Sequence, residues 1–524
     1  MINLSISRDG RFILIEGASV IEQSRINLYF TKKIPDWFVI KKKYPYAIVD
    51  ESFVFENKII PAGLWIEFFK MAEKNGIQFS VSPDFNDRIM NSSISYDGFK
   101  YYANELVSKS GMVLKEYQIK GVYSIMKYKR CCVEVSTNGG KTLMCYVMFK
   151  YLRDILKKQH ILYITPKTVL TSQSAEKFLE YDRDCKIETD WTYDEIHATA
   201  KKKKEYNSSI VFGNFQSLCK KKKDFFEKFD AVIVDECHHT TAASIKNILQ
   251  KCINADYKVG LTGTFPKEGS YEYFSIQSYI GPLVYKFTSY ELIKEEKFAT
   301  PVEVVGIRLS YLSNDERKLL HEKRRLKDKD NPTEGNELLN EEKDIARKSK
   351  LRLNWICDFI TKFNKNTLVV FTDVKTQYGY KVYSKLKDMC DKNIYYIDGD
   401  TKDVARKYAK QAMEDDKEGN TIIVSSIGCF SEGIDISNLW NIVLIETTKS
   451  DILMAQLLGR GMRRYEGKEK TRMFDITDDY SIGSDYYKDN YLLKHYKERV
   501  KIYNERRFDY LGECYIDLTT KALF

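Results

Sequence analysis

Residues 131–142 read CCVEVSTNGGKT, and this stretch decides the fold of the chain. The apolar run at 131–135 predicts a buried strand, and the apolar residues after Lys141 and Thr142 predict a helix. A strand, a glycine-containing turn, Lys-Thr and a helix form the design of a phosphate-binding loop, because backbone N–H groups and the helix N-terminus face phosphate oxygens. Val135 stands where the usual pattern has its first glycine, so the match is incomplete.

A second element of the same kind of site lies about a hundred residues downstream. Residues 231–239 read AVIVDECHH, an apolar strand that ends in two acidic residues. Asp235 is suited to hold Mg²⁺ through water, and Glu236 to polarise an attacking water molecule. The alternative is a strand that ends in a solvated acidic turn, which the upstream phosphate loop disfavours.

Two further clusters narrow the interpretation. Residues 260–264 read GLTGT, and residues 456–464 read QLLGRGMRR, with three arginines on about two predicted helical turns. We expect Arg460 and Arg463 on one helical face, where guanidinium groups suit phosphate oxygens. With these clusters the chain resembles superfamily 2 helicases of the DExH class, because the four segments resemble motifs I, II, III and VI in that order.

The resemblance implies an ATP site with Mg²⁺ that is completed by two RecA-like domains. The residues it implies for catalysis are Lys141, Asp235, Glu236, Arg460 and Arg463. The residues implied for nucleotide binding are Gln118, Thr137, Asn138, Gly139, Gly140, Lys141, Thr142, Gly433, Asp435 and Gln456. Thr142 and Asp235 are expected to hold the metal. His238, Thr262 and Thr264 are expected to couple the nucleotide state to domain closure.

Other segments resemble the family motifs that contact the nucleic-acid backbone. They are ITPKT at 164–168, VFGNFQS at 211–217, LVVFT at 368–372, Asp398-Gly399 with Arg406, and SEGID at 431–435. An aspartate at 398 replaces the histidine that is usual in the family. The residues implied to contact DNA are Pro166, Lys167, Thr168, Asn214, Gln216, Thr372, Arg406 and Ser425.

Both ends of the chain are similar to UvsW-type bacteriophage recombination helicases, at NKIIPAGL (57–64), YLLKH (491–495) and RRFDY (506–510). This resemblance implies an ATP-dependent DNA helicase that remodels forks, Holliday junctions and displacement or RNA–DNA loops in phage recombination, repair and replication. The implied partners are branched double-stranded and single-stranded DNA, RNA–DNA hybrids, and phage recombination or replication proteins. A monomer in the cytoplasm of the host cell is expected.

The predicted fold class is α/β, with two tandem RecA-like doubly wound parallel-sheet domains. The expected boundaries are 1–95 for a small α+β domain that selects branched DNA, 96–298 and 299–483 for the motor, and 484–524 for a C-terminal helical extension. We expect the motor to fold without residues 1–95. The charged stretch Asn314–Lys343 is interpreted as a solvated helix–turn–helix insertion.

The composition limits the class of protein but identifies no catalytic residues. The chain has 524 residues and a formal net charge of +10, which permits binding to a polyanion. We interpret the lysine runs at 41–43, 201–204 and 220–223 as solvated faces rather than DNA contacts. Eleven cysteines without a Cys-x-x-Cys pair predict a reducing environment and no zinc site. No signal peptide and no apolar run of membrane-spanning length is predicted.

Three alternatives stay open at this point. A restriction-type motor subunit shares the motor, but the chain lacks an evident nuclease pattern. An RNA helicase is disfavoured by Leu-Thr-Gly-Thr at 261–264, where RNA unwinders commonly have Ser-Ala-Thr. A DNA-binding module with an inactive motor is disfavoured because Lys141, Glu236 and Arg463 are all present.

Overall fold

The computed structural model describes residues 1–90, 93–200, 205–241, 243–294, 299–326, 332–431, 436–482 and 489–520. The chain forms two compact units. The first contains Met1–Trp37 and Tyr46–Phe287, and the second contains Phe38–Pro45 and Thr288–Phe524. All eleven cysteines are unpaired. Among the described residues, none of the helices is both long and apolar enough to cross a bilayer.

Up to Phe287 the chain alternates strands and helices, with short 3₁₀ helices at Ala62–Leu64 and Cys237–Thr241. In chain order the elements are β1 (Ile2–Ile6), β2 (Phe12–Glu16), α1 (Val20–Phe30), β3 (Thr31–Lys33), α2 (Trp37–Lys43), β4 (Asp50–Ser52), β5 (Ile59–Pro61), α3 (Trp65–Lys74), β6 (Phe79–Val81), α4 (Phe85–Ile89), α5 (Tyr96–Val107), α6 (Glu116–Tyr128), β7 (Arg130–Val135), α7 (Lys141–Asp154), β8 (Ile161–Thr165), α8 (Thr168–Asp184), β9 (Tyr193–Ile196), β10 (Ile210–Asn214), α9 (Phe215–Leu218), α10 (Lys223–Glu227), β11 (Ala231–Asp235), α11 (Ala243–Lys251), β12 (Tyr257–Thr262), α12 (Tyr271–Tyr279) and β13 (Leu283–Phe287).

The later elements repeat this alternation. They are α13 (Ser289–Lys294), β14 (Val302–Ser310), α14 (Asn314–Leu326), α15 (Pro332–Lys348), α16 (Lys350–Thr361), β15 (Thr367–Phe371), α17 (Tyr378–Met389), β16 (Asn393–Ile397), α18 (Asp403–Asp415), β17 (Thr421–Ser426), α19 (Ile427–Ser431), β18 (Asn441–Leu444), α20 (Asp451–Gly461), β19 (Thr471–Asp478), α21 (Tyr491–Glu505) and β20 (Asp509–Asp517).

The first unit is built on a seven-stranded parallel sheet with the order β13-β7-β12-β11-β8-β10-β9. Strands β7, β8 and β10 are buried nearly throughout, and helices cover the sheet, as expected for a doubly wound domain. The carboxyl ends of parallel strands share one edge, so this topology carries the loops after β7, β11 and β12 to the same place. The RecA-like prediction is confirmed for this unit.

The N-terminal region has its own four-stranded mixed sheet, β5-β2-β1-β6, as predicted for an α+β domain. Its core, however, is continuous with that of the motor sheet. Phe30 packs edge-on against Phe274 of α12, and buried Glu67 accepts a hydrogen bond from Tyr273. A Cβ added at Gly63 would lie 1.9 Å from the backbone oxygen of Gln277. The prediction that the motor folds without residues 1–95 therefore conflicts with this shared core.

The second unit contains another seven-stranded parallel sheet, with the order β16-β17-β15-β18-β19-β14-β20. The prediction of a second RecA-like domain is thus confirmed, whereas the C-terminal extension is only partly helical. Helix α21 ends at Glu505, Arg507 adopts a positive φ of 57°, and β20 then pairs in parallel with β14. The last strand was missed because an exposed edge strand has no clear alternation of buried residues.

The charged insertion is also less solvated than expected. Helices α14 and α15 form as predicted, but Arg324 and Glu342 make a buried ion pair of 2.9 Å between them. Glu342 also accepts a hydrogen bond from the backbone N–H of Leu492, at the start of α21. Helix α21 is held in turn by the buried ion pair of Arg499 with Asp475, at 2.7 Å. The insertion and the C-terminal helix are therefore parts of one packed layer.

Candidate active site

The loop between β7 and α7 has the backbone shape of a phosphate-binding loop. Asn138 and Gly140 have positive φ angles of 70° and 78°. A Cβ added at Gly139 would lie 2.5 Å from Cγ1 of Val135, so the valine side chain fills the space beneath the glycine. Val135, which stands where the usual pattern has a glycine, is therefore buried beneath the loop.

Lys141 begins helix α7 and points back at the loop. Its Nζ donates to the backbone oxygen of Val135 at 3.3 Å. A Cβ added at Gly263 would lie 3.2 Å from that Nζ and 3.1 Å from the hydroxyl of Thr137. The loop after β12 thus packs directly against the phosphate loop. The N-terminus of a 14-residue helix, the lysine and the inward-turned backbone fit a triphosphate.

Gln118 and Tyr117 support the loop from α6. Gln118 Nε2 donates to the backbone oxygen of Gly139 at 3.1 Å, and its Oε1 accepts from the N–H of Lys115. Tyr117 donates its hydroxyl to the same oxygen and stacks on Phe287 at 4.0 Å. Both polar ends of Gln118 are thus used within the unit, and its contact with adenine stays a prediction. Tyr117 was not singled out in the sequence.

Asp235 and Glu236 stand at the carboxyl end of β11. Burial raises the pKa of Asp235 to about 6, and the adjacent Glu236 carboxylate adds to the rise. Burial also acts to raise the pKa of Glu236, but Lys141 and His238 outweigh it and hold that pKa below its ordinary value. Glu236 has a positive φ of 49°, an uncommon conformation for a non-glycine residue that often marks a functional position.

The three residues predicted to couple the site lie together. His238 Nδ1 is 2.8 Å from the hydroxyl of Thr262, which also donates to Glu236 Oε2 at 3.3 Å. The N–H of Thr264 donates to the same hydroxyl at 3.1 Å. Lys141 and Glu236 both contact the loop at Gly263, which lies between Thr262 and Thr264. This set of groups suits an anionic ligand bound by Lys141. Thr142 and Asp235 would be oxygen donors to Mg²⁺.

The predicted arginines lie on the second unit, and one detail of their placement is corrected. Helix α20 carries Gln456 and Arg460 but ends at Gly461. Arg463 therefore lies in the loop beyond the helix, not on the same helical face as Arg460. Its backbone is held by Thr300, whose N–H donates to Met462 O and whose hydroxyl donates to Arg463 O. Gly433 and Asp435 lie outside the described residues.

Comparisons with known proteins agree with this geometry. Residues 111–267 match the family described as Type III restriction enzyme, res subunit, and residues 351–465 match the Helicase conserved C-terminal domain. The chain is 27% identical over 472 residues to the ATP-dependent DNA helicase UvsW of Enterobacteria phage T4, covering 87% of this chain and 88% of that protein. The chain is a superfamily 2 helicase.

Two further comparisons show how widely this helicase architecture is shared. The DNA 3'-5' translocase XPB2 of Sulfurisphaera tokodaii is 22% identical over 395 residues, which cover 68% of this chain and 80% of that one. The match to the structure of Mss116p bound to single-stranded RNA and AMP-PNP covers 81% of this chain and 80% of the Mss116p chain. Its TM-score is 0.52 at 13% identity. The latter likeness concerns the fold alone.

In the first unit of the helicase, two DNA-facing segments predicted from the sequence meet. Asn214 Nδ2 donates to the hydroxyl of Thr168 at 2.9 Å, and its Oδ1 caps α9 by accepting from the N–H of Ser217. Asn214 is buried, whereas Lys167 and Gln216 are exposed and Pro166 is half-buried. Asn214 therefore fixes the two loops, and Lys167 and Gln216 are the residues that face solvent.

In the second unit the predicted contacts are mostly occupied by the protein itself. Ser425 is fully buried and donates to the backbone oxygen of Ser426. Arg406, predicted to contact DNA, donates instead to the backbone oxygens of Asp398 and Gly399. Thr372 donates through its N–H to Glu446, which was not identified from the sequence. No motif includes Glu446, although it stands at the carboxyl end of a buried strand.

Proposed function

We propose that this helicase is an ATP-driven DNA motor that unwinds and remodels branched DNA in phage recombination, repair and replication. The observation that carries the proposal is the joining of Lys141, Glu236 and His238 through the loop at Gly263 and Thr262. Such a connection suits a site in which the state of the nucleotide alters backbone positions elsewhere. The DNA substrate and the phage process are supported by the similarity to T4 UvsW.

In this proposal the residues of the first unit bind and orient the nucleotide. Lys141 and the amides of residues 137–142 hold the phosphates, and Glu236 polarises and orients the attacking water. Lys141 and His238 hold the pKa of Glu236 below its ordinary value, so its carboxylate is ionised. Thr142 and Asp235 would hold Mg²⁺, and the bound ion would neutralise part of the phosphate charge. Gln456, Gly433 and Asp435 contribute from the second unit.

Force on DNA would come from residues that contact phosphate rather than bases. Lys167 is the N-cap residue of α8, where the helix N-terminus favours anions, and Gln216 is an exposed residue of α9. Such contacts give affinity without sequence preference. If about six phosphates are neutralised, log affinity should fall against log salt with a slope of roughly −4 to −5. An affinity that does not change with salt would contradict backbone binding.

The deciding experiment measures ATP hydrolysis and strand separation on forks, four-way junctions, displacement loops, RNA–DNA loops and linear duplex. We expect DNA-stimulated hydrolysis and faster remodelling of branched substrates than of linear duplex. Lys141→Ala should abolish hydrolysis, and Lys120→Ala, an exposed lysine on α6, should not. Equal activity on RNA duplexes would favour an RNA helicase, and hydrolysis within about twofold of wild type in Lys141→Ala would contradict the ATP site.

A restriction-type motor subunit is the second candidate. It is favoured by the match of residues 111–267 to the res subunit family, which covers only the first half of the motor. Among the described residues no group of three or more His, Cys, Asp or Glu side chains could hold a metal ion. Cleavage of circular duplex DNA in the presence of ATP and Mg²⁺ would favour this candidate over remodelling.

A further inference from the structure

The loop that carries Arg463 is held by side chains that belong to no helicase motif. Helix α20 ends at Gly461, and the last carbonyls of a helix need partners from outside it. Gly461 O accepts from the hydroxyl of Thr471 at 2.6 Å and from Lys468 Nζ at 3.3 Å. Thr300 binds the carbonyls of residues 462 and 463. Every carbonyl from 461 to 463 is thus engaged.

Lys468 is the least expected member of this group because it is a buried amine, only 7% exposed. Besides Gly461 O, its Nζ donates to the backbone oxygens of Ser437 at 2.9 Å and of Leu439 at 3.0 Å. Three main-chain oxygens therefore surround one amine. Among the described residues no carboxylate pairs directly with Lys468, and its three acceptors are all main-chain oxygens.

The second loop that Lys468 binds is itself fixed. The N–H groups of Ser437 and Asn438 donate to Glu414 of α18 at 2.8–2.9 Å. Thr471 also reaches Leu439 O, at 3.3 Å. Lys468 therefore ties the end of α20 to the segment that precedes β18, and this segment follows the SEGID stretch at 431–435.

We propose that Lys468 is a positioning residue for Arg463: its amine fixes the loop 461–463 against the loop 437–439 and so sets where the Arg463 guanidinium can act. This inference rests on the proposed function, in which Arg463 stabilises charge during ATP hydrolysis. A displaced guanidinium slows turnover without changing ground-state binding, because small misplacements of a catalytic group lower the rate steeply.

The test uses the full chain and four single variants. Lys468→Met removes the amine, and Thr471→Val removes one hydroxyl while it keeps the shape of the side chain. Lys470→Met is the matched control, because Lys470 pairs with Glu303 at the surface and does not contact the loop. Arg463→Ala is the reference. The rate kcat and the KM for ATP are measured at saturating fork DNA, with nucleotide binding and thermal unfolding in parallel.

We expect Lys468→Met to lower kcat about tenfold or more and to leave the KM for ATP within about threefold. Thr471→Val should also lower kcat, but by less. If Lys468→Met does not fold, the kcat of Thr471→Val tests the proposal instead. Lys470→Met should match wild type. In the Arg463→Ala background, Lys468→Met should lower kcat by less than about twofold further, because the group it positions is already gone.

The outcomes separate this inference from the proposed function. If wild type hydrolyses no ATP, or Arg463→Ala turns over as wild type does, the proposed role of Arg463 fails and the inference fails with it. If Arg463→Ala is slow while Lys468→Met and Thr471→Val match wild type, only the inference is overturned. An equal loss from Lys468→Met in both backgrounds would also overturn it, since a general structural effect is additive.

Discussion

The Nδ1 atom of His238 lies 2.8 Å from the hydroxyl of Thr262, and this contact joins the loop after β11 to the loop after β12. The same hydroxyl contacts Glu236 and the N–H of Thr264, so it has partners on both sides of the candidate site. The other ring nitrogen of His238, Nε2, is buried without a hydrogen-bond partner among the described residues.

Thr262→Val tests this connection while it keeps the volume and branching of the side chain. The substitution leaves His238, Glu236 and Thr264 without a shared partner, which costs about 1–3 kcal/mol in stability for buried polar groups. We expect ATP binding to persist and DNA-stimulated kcat to fall by about tenfold or more. Steady-state hydrolysis with and without fork DNA provides the measurement.

A matched control lies in the short 3₁₀ helix Cys237–Thr241, which carries His238. Thr240 is fully buried, and its hydroxyl has no partner among the described residues, so Thr240→Val removes no hydrogen bond. It should retain wild-type turnover and stability. A comparable loss of turnover in both variants would show that buried threonines in this region matter for packing, and that Thr262 has no special role in coupling.

Removal of the N-terminal region should destabilise the motor. Residues 1–95 share a core with α12, where Phe30 and Phe53 pack against Phe274 with ring centroids 5.8 and 5.9 Å apart. A chain that begins at Tyr96 exposes these apolar surfaces, and we expect it to aggregate or to unfold at a clearly lower temperature. Soluble expression and thermal unfolding check this. A stable, monomeric product with DNA-stimulated ATPase would restore the expectation of an independent motor.

The buried amine of Lys468 gives a pH dependence of stability with a definite sign. Burial lowers its pKa to about 7, with Glu414 opposing the shift and Arg463 adding to it. The unfolded chain retains an ordinary lysine pKa near 10.4, so between pH 7 and pH 10 the unfolded state binds more protons at this site. This contribution to the free energy of unfolding therefore rises with pH, by at most about 1.4 kcal/mol per pH unit.

A comparison of wild type with Lys468→Met isolates that contribution, since other groups titrate alike in both. The unfolding temperature of wild type minus that of Lys468→Met should increase between pH 7 and pH 9.5. Both are measured at one scan rate and one ionic strength. A constant difference across this range would mean that the three carbonyl acceptors hold the amine protonated throughout, and that its pKa is not lowered.

The first half of the ATP site could be predicted from the sequence because its signals are local. A strand, a glycine turn and Lys141 are adjacent in the chain, and a parallel sheet carries Asp235 and Thr262 to the same edge. Residues such as Glu446 and Lys468 act differently. They bind main-chain groups tens of residues away, and a lone glutamate or lysine in the sequence gives no sign of such a partner.

Two elements were mispredicted for reasons of the same kind. The apolar residues from Tyr491 onward indicate a helix correctly, but they do not show that the chain after Arg507 pairs with the edge of the sheet at β14. The end of α20 depends on Thr300, Lys468 and Thr471, which satisfy the carbonyls from 461 to 463. Arginine spacing alone suggested a continued helix, and so placed Arg463 on the same face as Arg460.

The position of Arg463 leads to the last prediction. Its backbone oxygen is held by Thr300 and its side chain is half-buried, so Arg463→Ala should leave the loop and the fold intact. In the proposed function the guanidinium stabilises charge on the transferring phosphoryl group, and comparable arginines contribute about 10³–10⁵ in rate. We therefore expect near-normal ATP binding and fork binding, with hydrolysis at least about a hundredfold slower.

Arg464→Ala is the matched control for Arg463→Ala, because Arg464 is exposed one residue further along the same loop. Nucleotide affinity from a fluorescent ATP analogue and single-turnover hydrolysis on fork DNA separate binding from chemistry. If Arg463→Ala loses nucleotide binding and has no separate defect in turnover, Arg463 is a ground-state ligand of the phosphates. If Arg463→Ala turns over normally and Arg460→Ala or Arg464→Ala does not, the catalytic role belongs to that arginine, since only a group that acts in the transition state lowers kcat without changing affinity.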